Sequence, residues 1–239
     1  MSKKVMIASG KGGTGKSMAA INLACSLAQR GERVILVDLC CGMRTLELYL
    51  GLEHKALWDI CDVINGTCEL ATAVLPVEGT GGLFFLPATQ KSSFPELNYD
   101  SLEAILDRLS MMFSYIIIDC PPGAGRLVEL AAECCDEAIL VLTPDYAALR
   151  DAEVIEDMLL SHEVMSRRYI VNMVSSDLLE KGSGVPIAEL DRGLRCSPLG
   201  IIPFDNNIRA SLAEGVPIVM KRDSYIADNF EKMAKRLSK

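Results

Sequence analysis

The sequence has only two histidines, His54 and His162, and none of its nine cysteines forms a Cys-x-x-Cys pair. Zinc and iron–sulfur frameworks need closely spaced ligands, so the pattern offers neither. The cysteines are Cys25, Cys40, Cys41, Cys61, Cys68, Cys120, Cys134, Cys135 and Cys196. The first residues, Met1-Ser2-Lys3-Lys4, run straight into an apolar segment, which leaves no room for a secretory leader. The expectation is a cytoplasmic, reducing environment with no disulfides, in which cysteine fills the core as a small apolar residue. No apolar run approaches the roughly 18 residues of a membrane span. Excess positive charge is missing too. The formal net charge is −8, which disfavours unspecific nucleic-acid binding and leaves only a local basic patch as a route to it. No repeat, linker or low-complexity tract divides the 239 residues, so one domain over residues 1–239 is expected. Half of the residues are hydrophobic, enough for a sizeable core.

What is present is an alternation of continuous apolar runs with helical patterns. Residues 5–8, 34–37, 83–88, 115–119, 138–143, 169–172 and 199–203 read as strands. Between the first two, Ala19, Ala20, Leu23, Ala24, Leu27 and Ala28 recur at helical spacing, and Gly31 ends the helix. Residues 58–75 read as mostly helical, and residues 126–135 as a further helix. Ser101 is expected to cap a helix with Leu102, Ile105, Leu106 and Leu109 on its apolar face. Residues 91–98 read as a surface loop. Gly182, Gly184 and Pro186 mark another, followed by a short helix. Ile226, Phe230, Met233, Ala234 and Leu237 share one face of a last helix. Strands that are apolar on both faces and separated by helices imply an α/β fold with a mostly parallel sheet covered on both sides.

The stretch Ser9-Gly10-Lys11-Gly12-Gly13-Thr14-Gly15-Lys16-Ser17 lies between the first strand and the first helix. Gly10, Gly15, Lys16 and Ser17 fit every fixed position of G-x-x-x-x-G-K-[ST]. Glycines let successive backbone N–H groups surround phosphate oxygens without Cβ clashes. The helix start adds unpaired donors and the positive end of its dipole. Lys16 can reach the β- and γ-phosphates, and the Ser17 hydroxyl can ligate Mg²⁺. The expected binding set is residues 10–17 with Met18. Asp38 and Asp119 end two apolar strands, at the edge where such sheets bind ligands. Asp119 has the position of a residue that holds Mg²⁺ through water; the alternative is an ordinary strand-end turn aspartate. The Asn172 amide, at another strand end, suits an adenine ring because it can both accept and donate.

Lys11, directly after Gly10, makes the loop resemble the deviant Walker A loop of the MinD/ParA family of ATPases. Other segments resemble the MinD proteins of that family. Asp38, Gly42, Arg44, Leu46 and Gly51 match the first switch, with Glu47 a near match. Asp62-Val63-Ile64-Asn65-Gly66 and Pro87-Ala88-Thr89-Gln90 have counterparts there, and Cys120-Pro121-Pro122-Gly123 is similar to the second switch. Thr143-Pro144, Leu149-Arg150-Asp151, Asn172 and the tail from Pro203 to Ile218 complete the likeness, which covers essentially the whole chain. One position departs: Cys40 stands where the family has an aspartate linked to water activation.

The resemblance implies a P-loop NTPase domain that binds ATP and Mg²⁺ and forms an ATP-dependent homodimer. Lys11, Lys16 and Asp38 would be catalytic, with Lys11 crossing to the partner's nucleotide; a solvated loop lysine is the alternative. Ser17, Asp38 and Asp119 would serve the metal. Asn172 and Pro203 would meet the base, and Gly123 would bring its N–H near the γ-phosphate. Arg150 and Asp151 would mark a helix that faces a protein partner, unless they are an ordinary solvated pair. The implied role is a nucleotide-dependent spatial switch in division-site placement or in positioning cellular machinery. Rival readings are a DNA-partitioning ATPase of the ParA type, a metal-cluster ATPase like the nitrogenase iron protein, and a non-hydrolysing regulatory module. MinD proteins carry a basic amphipathic segment after their last helix. This sequence stops at Lys239, within the helix that begins near Ile226, so direct membrane contact is expected to be weak and recruitment to go through a partner. Turnover is expected to be slow, because a thiol is a poor acceptor for the attacking water's proton.

Overall fold

The computed structural model describes residues 2–91, 94, 96–175, 184–221 and 224–238. An eight-stranded sheet runs through the centre in the order β3-β4-β2-β5-β1-β6-β7-β8. The strands are β1 (Lys3–Ala8), β2 (Val34–Asp38), β3 (Leu75–Pro76), β4 (Leu83–Leu86), β5 (Tyr115–Asp119), β6 (Glu137–Leu142), β7 (Ser166–Val174) and β8 (Ser197–Pro203). Every pairing is parallel except that of β3 with β4. The longer helices are α1 (Lys16–Gln29), α5 (Tyr99–Ser110), α6 (Arg126–Cys134), α7 (Tyr146–Ser161), α9 (Asn206–Ala213) and α10 (Tyr225–Leu237). Shorter ones are α2 (Thr45–Tyr49), α3 (Ile60–Ile64), α4 (Leu70–Ala73) and α8 (Ile187–Gly193).

Side chains alternate across the sheet and feed two cores. Met6, Ala8, Ile35, Val37, Ile116 and Ile118 join α5, α6 and α7 on one face. Val5, Ile7, Val34, Leu36 and Ile117 join α1 and α10 on the other. The apolar face of α10 is buried, as its spacing predicts: Ile226, Phe230, Met233, Ala234 and Leu237 dock on α1 and β8. At the N-terminal edge of the sheet, Glu137 is fully buried and pairs with Lys3 of β1 at 2.6 Å and Arg168 of β7 at 3.0 Å. These ion pairs pin three neighbouring strands at one end. The opposite, C-terminal edge carries Asp38 and Asp119, which the β2–β5 register sets side by side.

Several sequence expectations are corrected. The helix expected across residues 58–75 is two short helices, α3 and α4, because Gly66 turns the chain at φ 70°. Leu75 and Pro76 then add an antiparallel edge strand too short for any periodicity to reveal. Asn98, not Ser101, caps α5; Ser101 stands three residues further on and completes the capping box. The segment expected as a surface loop places Phe94 and Leu97 in the core. Gly182 lies outside the described residues, whereas Gly184 and Pro186 lead into α8.

Phe230 is fully buried between α10 and the sheet. Phe230→Ala should cost about 3–5 kcal/mol of stability by leaving a cavity. A lower urea midpoint at unchanged slope is the expected reading; a midpoint like that of the wild type would mean that α10 does not pack as described.

Candidate functional site

The phosphate-type loop leaves β1 at the middle of the C-terminal sheet edge and turns directly into α1. Two of its glycines answer to neighbouring chain. A Cβ on Gly10 would run into Asp151, whose carbonyl oxygen lies only 2.6 Å from that position. Gly15 has φ 86°, and a Cβ there would collide with the Asn172 amide. The first turn of α1 has no side-chain cap and no acidic residue, so its N–H groups remain available to an anion. Beside the loop lies an open cleft of about 530 Å³, lined by residues 12–18 together with Asp38, Cys40, Asp119, Asn172 and Pro203, among others.

Charge in the cleft is organised around Asp119, which is fully buried. Its Oδ1 lies 2.8 Å from Lys16 Nζ, and its Oδ2 accepts from the Ser17 hydroxyl at 2.6 Å. Asp38, also fully buried, accepts the Cys40 N–H at 2.7 Å on Oδ1, while its Oδ2 has no hydrogen-bond partner among the described residues. Burial, then the neighbouring Asp119 charge, push the Asp38 carboxyl up to about 8, against the opposing pull of the Cys40 N–H and Lys16. For Lys16 burial works against the ammonium, yet the charge and hydrogen bond of Asp119 outweigh it and the group is held above its ordinary range. Burial, followed by the charges of Asp119 and Asp38, raises the Cys40 thiol far above the usual thiol range, so it stays protonated.

This donor set fits Mg²⁺. The orphaned Asp38 oxygen, the Asp119 carboxylate and the Ser17 hydroxyl are hard oxygen ligands at one place, two of them beside the start of α1. A divalent cation would relieve both the unpartnered oxygen and the repulsion between adjacent carboxylates.

Of the residues expected from sequence, Gly12, Gly13, Thr14, Gly15, Lys16, Ser17, Met18, Asp38, Asp119, Asn172 and Pro203 line the cleft. Three are placed differently. Gly10 backs onto Asp151. The Gly123 N–H, expected near a γ-phosphate, donates to the Ser9 carbonyl at 2.9 Å and so braces the loop where it leaves β1. Lys11 turns from the cleft to Asp145, at 3.0 and 3.3 Å from its two oxygens. Asn172 donates its amide to the Thr14 carbonyl at 2.8 Å, so it supports the loop as well as facing the cleft. On α7, Arg150 is exposed, whereas Asp151 is half-buried against Gly10.

Other participants escaped the sequence reading. Asp145 caps α7, accepting the Ala148 N–H at 2.8 Å, and its pairing with Lys11 spans 134 positions and has no local signal. Met43, Tyr49 and Met173 also line the cleft. Met173 has φ 59°, an unusual conformation for a residue of its kind, and nothing in its neighbours foretells it.

A parallel α/β sheet with a phosphate loop at its central strand and carboxylates on the flanking strand ends defines a nucleotide-binding protein of the phosphate-loop class. The model of the CobQ/CobB/MinD/ParA nucleotide binding domain matches residues 5–218. The chain belongs to this family, and MinD proteins are among its relatives. The septum site-determining protein MinD of Bacillus subtilis is 33% identical over 239 residues, covering 99% of this chain and 89% of that one. MinD of Synechocystis is 32% identical over 238 residues, with 99% and 90% covered. Among solved structures, the MinC:MinD cell division protein complex of Aquifex aeolicus matches with a TM-score of 0.92 and 26% identity over 99% of this chain and 96% of that one. MinD of Pyrococcus horikoshii, complexed with Mg-ADP, gives 0.87 and 28% over 100% and 97%.

Gly15→Ala should cost roughly 1–3 kcal/mol through its positive φ alone, and more through the displaced Asn172 amide. Thermal unfolding without nucleotide should show the loss. A fluorescent ATP analogue should no longer bind; unchanged melting would mean that the loop does not have this shape.

Proposed function

We propose that the chain is an ATP-dependent, dimerising ATPase of the MinD type, a spatial switch in division-site placement or in positioning other cellular machinery. The observation that carries this reading is the cluster of Lys16, Ser17, Asp38 and Asp119 beneath a loop that also holds Lys11. Family membership supports a nucleotide-hydrolysing role in general. The Pyrococcus horikoshii relative, solved with Mg-ADP, supports an adenine nucleotide and Mg²⁺ here.

Each residue then has a part. Loop N–H groups and Lys16 hold phosphate oxygens; to do so Lys16 moves from Asp119 to the ligand. Ser17, Asp38 and Asp119 would hold Mg²⁺, which neutralises charge on the β- and γ-phosphate oxygens. Asn172 and Pro203 flank the base. Lys11 leaves Asp145 and supplies positive charge to the nucleotide of the partner subunit, much as an arginine finger does. The Lys11–Asp145 pair is partly exposed, with 37% and 46% of the two side chains accessible, so breaking it costs little. Arg150, on the same helix as Asp145, extends the surface that meets a protein partner. The Aquifex aeolicus relative, solved with MinC, supports such a partner class.

Cys40 sets the rate. Its sulfur lies 3.8 Å from Lys16 Nζ and reaches the Cys120 carbonyl at 3.2 Å, so it is in the reaction space. A protonated thiol cannot accept from water as a carboxylate does. The cost of losing a positioned acid–base group is roughly 10²- to 10⁴-fold. This favours a long-lived ATP dimer, and as a second reading a module that binds ATP without turning it over.

Gel filtration with ATP, and separately with ADP, should show a dimer with ATP alone. Lys11→Ala should keep nucleotide binding and lose the dimer, whereas Lys16→Ala should weaken binding itself. A Lys11→Ala protein that dimerises normally with ATP would sink the reading. Cys40→Asp should raise turnover markedly. Brisk wild-type hydrolysis that Cys40→Asp leaves unchanged and Asp38→Asn abolishes would transfer water positioning to Asp38.

A further inference from the structure

We propose that Asp38, Cys40 and Asp119 form a site for a thiophilic divalent cation of the Zn²⁺ or Cd²⁺ class, set inside the nucleotide cleft. The proposal rests on the nucleotide reading only for the competition it implies; the coordination argument stands on geometry. One ligand atom from each of the three residues lies within 4.8 Å of the other two. Cys40 Sγ and Asp119 Oδ2 are 3.8 Å apart. A tetrahedral ion with bonds of about 2.3 Å to sulfur and about 2.1 Å to oxygen separates such ligands by about 3.6 Å, so this pair needs almost no movement.

Asp38 makes the third ligand. It is fully buried, and its Oδ2 has no hydrogen-bond partner among the described residues. Its Cα is the register partner of Asp119, so the sheet backbone itself holds the two carboxylates together. Water can take the fourth position, while the Ser17 hydroxyl, 2.6 Å from Asp119 Oδ2, stays its hydrogen-bond donor, because two oxygens on a tetrahedral ion stand about 3.4 Å apart. Lys16 Nζ provides the positive charge that the cluster now has, at 2.8 Å from Asp119 Oδ1 and 3.8 Å from Cys40 Sγ. A divalent ion takes over that charge balance and releases the ammonium.

The sulfur decides which ion. An aspartate at position 40 would leave a site of hard oxygens, suited to Mg²⁺. A thiolate shifts preference towards soft and borderline ions. As the metal–sulfur bond forms, the Cys40 thiol gives one proton to solvent, and no electron is transferred. Asp38 and Asp119 are the carboxylates assigned to Mg²⁺, so the two classes of ion compete for them when nucleotide brings Mg²⁺ in; without nucleotide the thiolate gives the soft ion the advantage and Mg²⁺ alone does not displace it.

Co²⁺ is the spectroscopic probe, added to the full, reduced, chelator-treated chain without nucleotide. The wild type should develop thiolate-to-cobalt charge-transfer absorption at one ion per chain. Zn²⁺ or Cd²⁺ should bleach it and excess Mg²⁺ should not. Cys40→Ser and Cys40→Asp should both lose the band, and Cys41→Ser should keep it. A band absent from the wild type, or one that survives in Cys40→Ser, overturns the site. Binding of a fluorescent ATP analogue with Mg²⁺, read on the same protein, separates the two conclusions. Analogue binding without a Cys40-dependent band removes the cation site alone. A Cys40-dependent band without analogue binding upholds the cation site and removes the nucleotide reading.

Discussion

The arrangement depends on one awkward neighbourhood, two fully buried carboxylates held side by side by the register of a parallel sheet. Asp38 and Asp119 cannot move apart without breaking the β2–β5 ladder, and like charges so placed in a dry interior repel, so the Asp38 carboxyl keeps its proton up to about 8. The surroundings answer with Lys16 and Ser17 on Asp119 and the Cys40 N–H on Asp38. Among the described residues, one Asp38 oxygen is left without a partner. Lys16 and Ser17, the groups that answer Asp119, both stand in the first turn of α1. The same residue that balances the pair is the one that a bound phosphate would draw away.

The loop is braced on every side by chain from distant parts of the sequence. Gly10 rests on Asp151 of α7, Gly15 on Asn172 of β7, and Ser9 on Gly123 after β5. Glycine at the first two positions permits close approach, because a side chain would occupy the space of the supporting residue. Asp145 starts α7 and holds Lys11, so one helix contacts the loop at two points and also presents Arg150 to solvent. A change in the loop and a change on this exposed surface are therefore mechanically adjacent. This gives the partner-facing proposal a physical basis without a long relay.

Cys40 is the place where local chemistry departs from the pattern around it. Its backbone does what the strand end requires, donating to Asp38, while its side chain puts sulfur among groups otherwise chosen for oxygen. Burial and two nearby carboxylates keep the thiol protonated, which weakens it as a base. A metal ion must displace that proton to bind the sulfur, so such binding would strengthen as pH rises. The proposed slow turnover and the proposed affinity for a soft cation would thus have one origin.

The sequence by itself determined the α/β class, seven of the eight strands, the loop and the strand-end aspartates. Those features are written in contiguous residues: apolar runs, helical spacing, and glycines at set intervals before Lys16 and Ser17. Helix breaks and caps were less legible. Gly66 and Asn98 act through single backbone conformations and hydrogen bonds that composition does not resolve, and β3 is only two residues long. Only the tertiary structure decided that Asp38 lies beside Asp119, that Lys11 pairs with Asp145, that Gly123 bonds Ser9 at the start of the loop and that Asn172 holds Thr14. Each of these joins residues far apart in the chain, and their meeting follows from strand order and register, which no local pattern encodes.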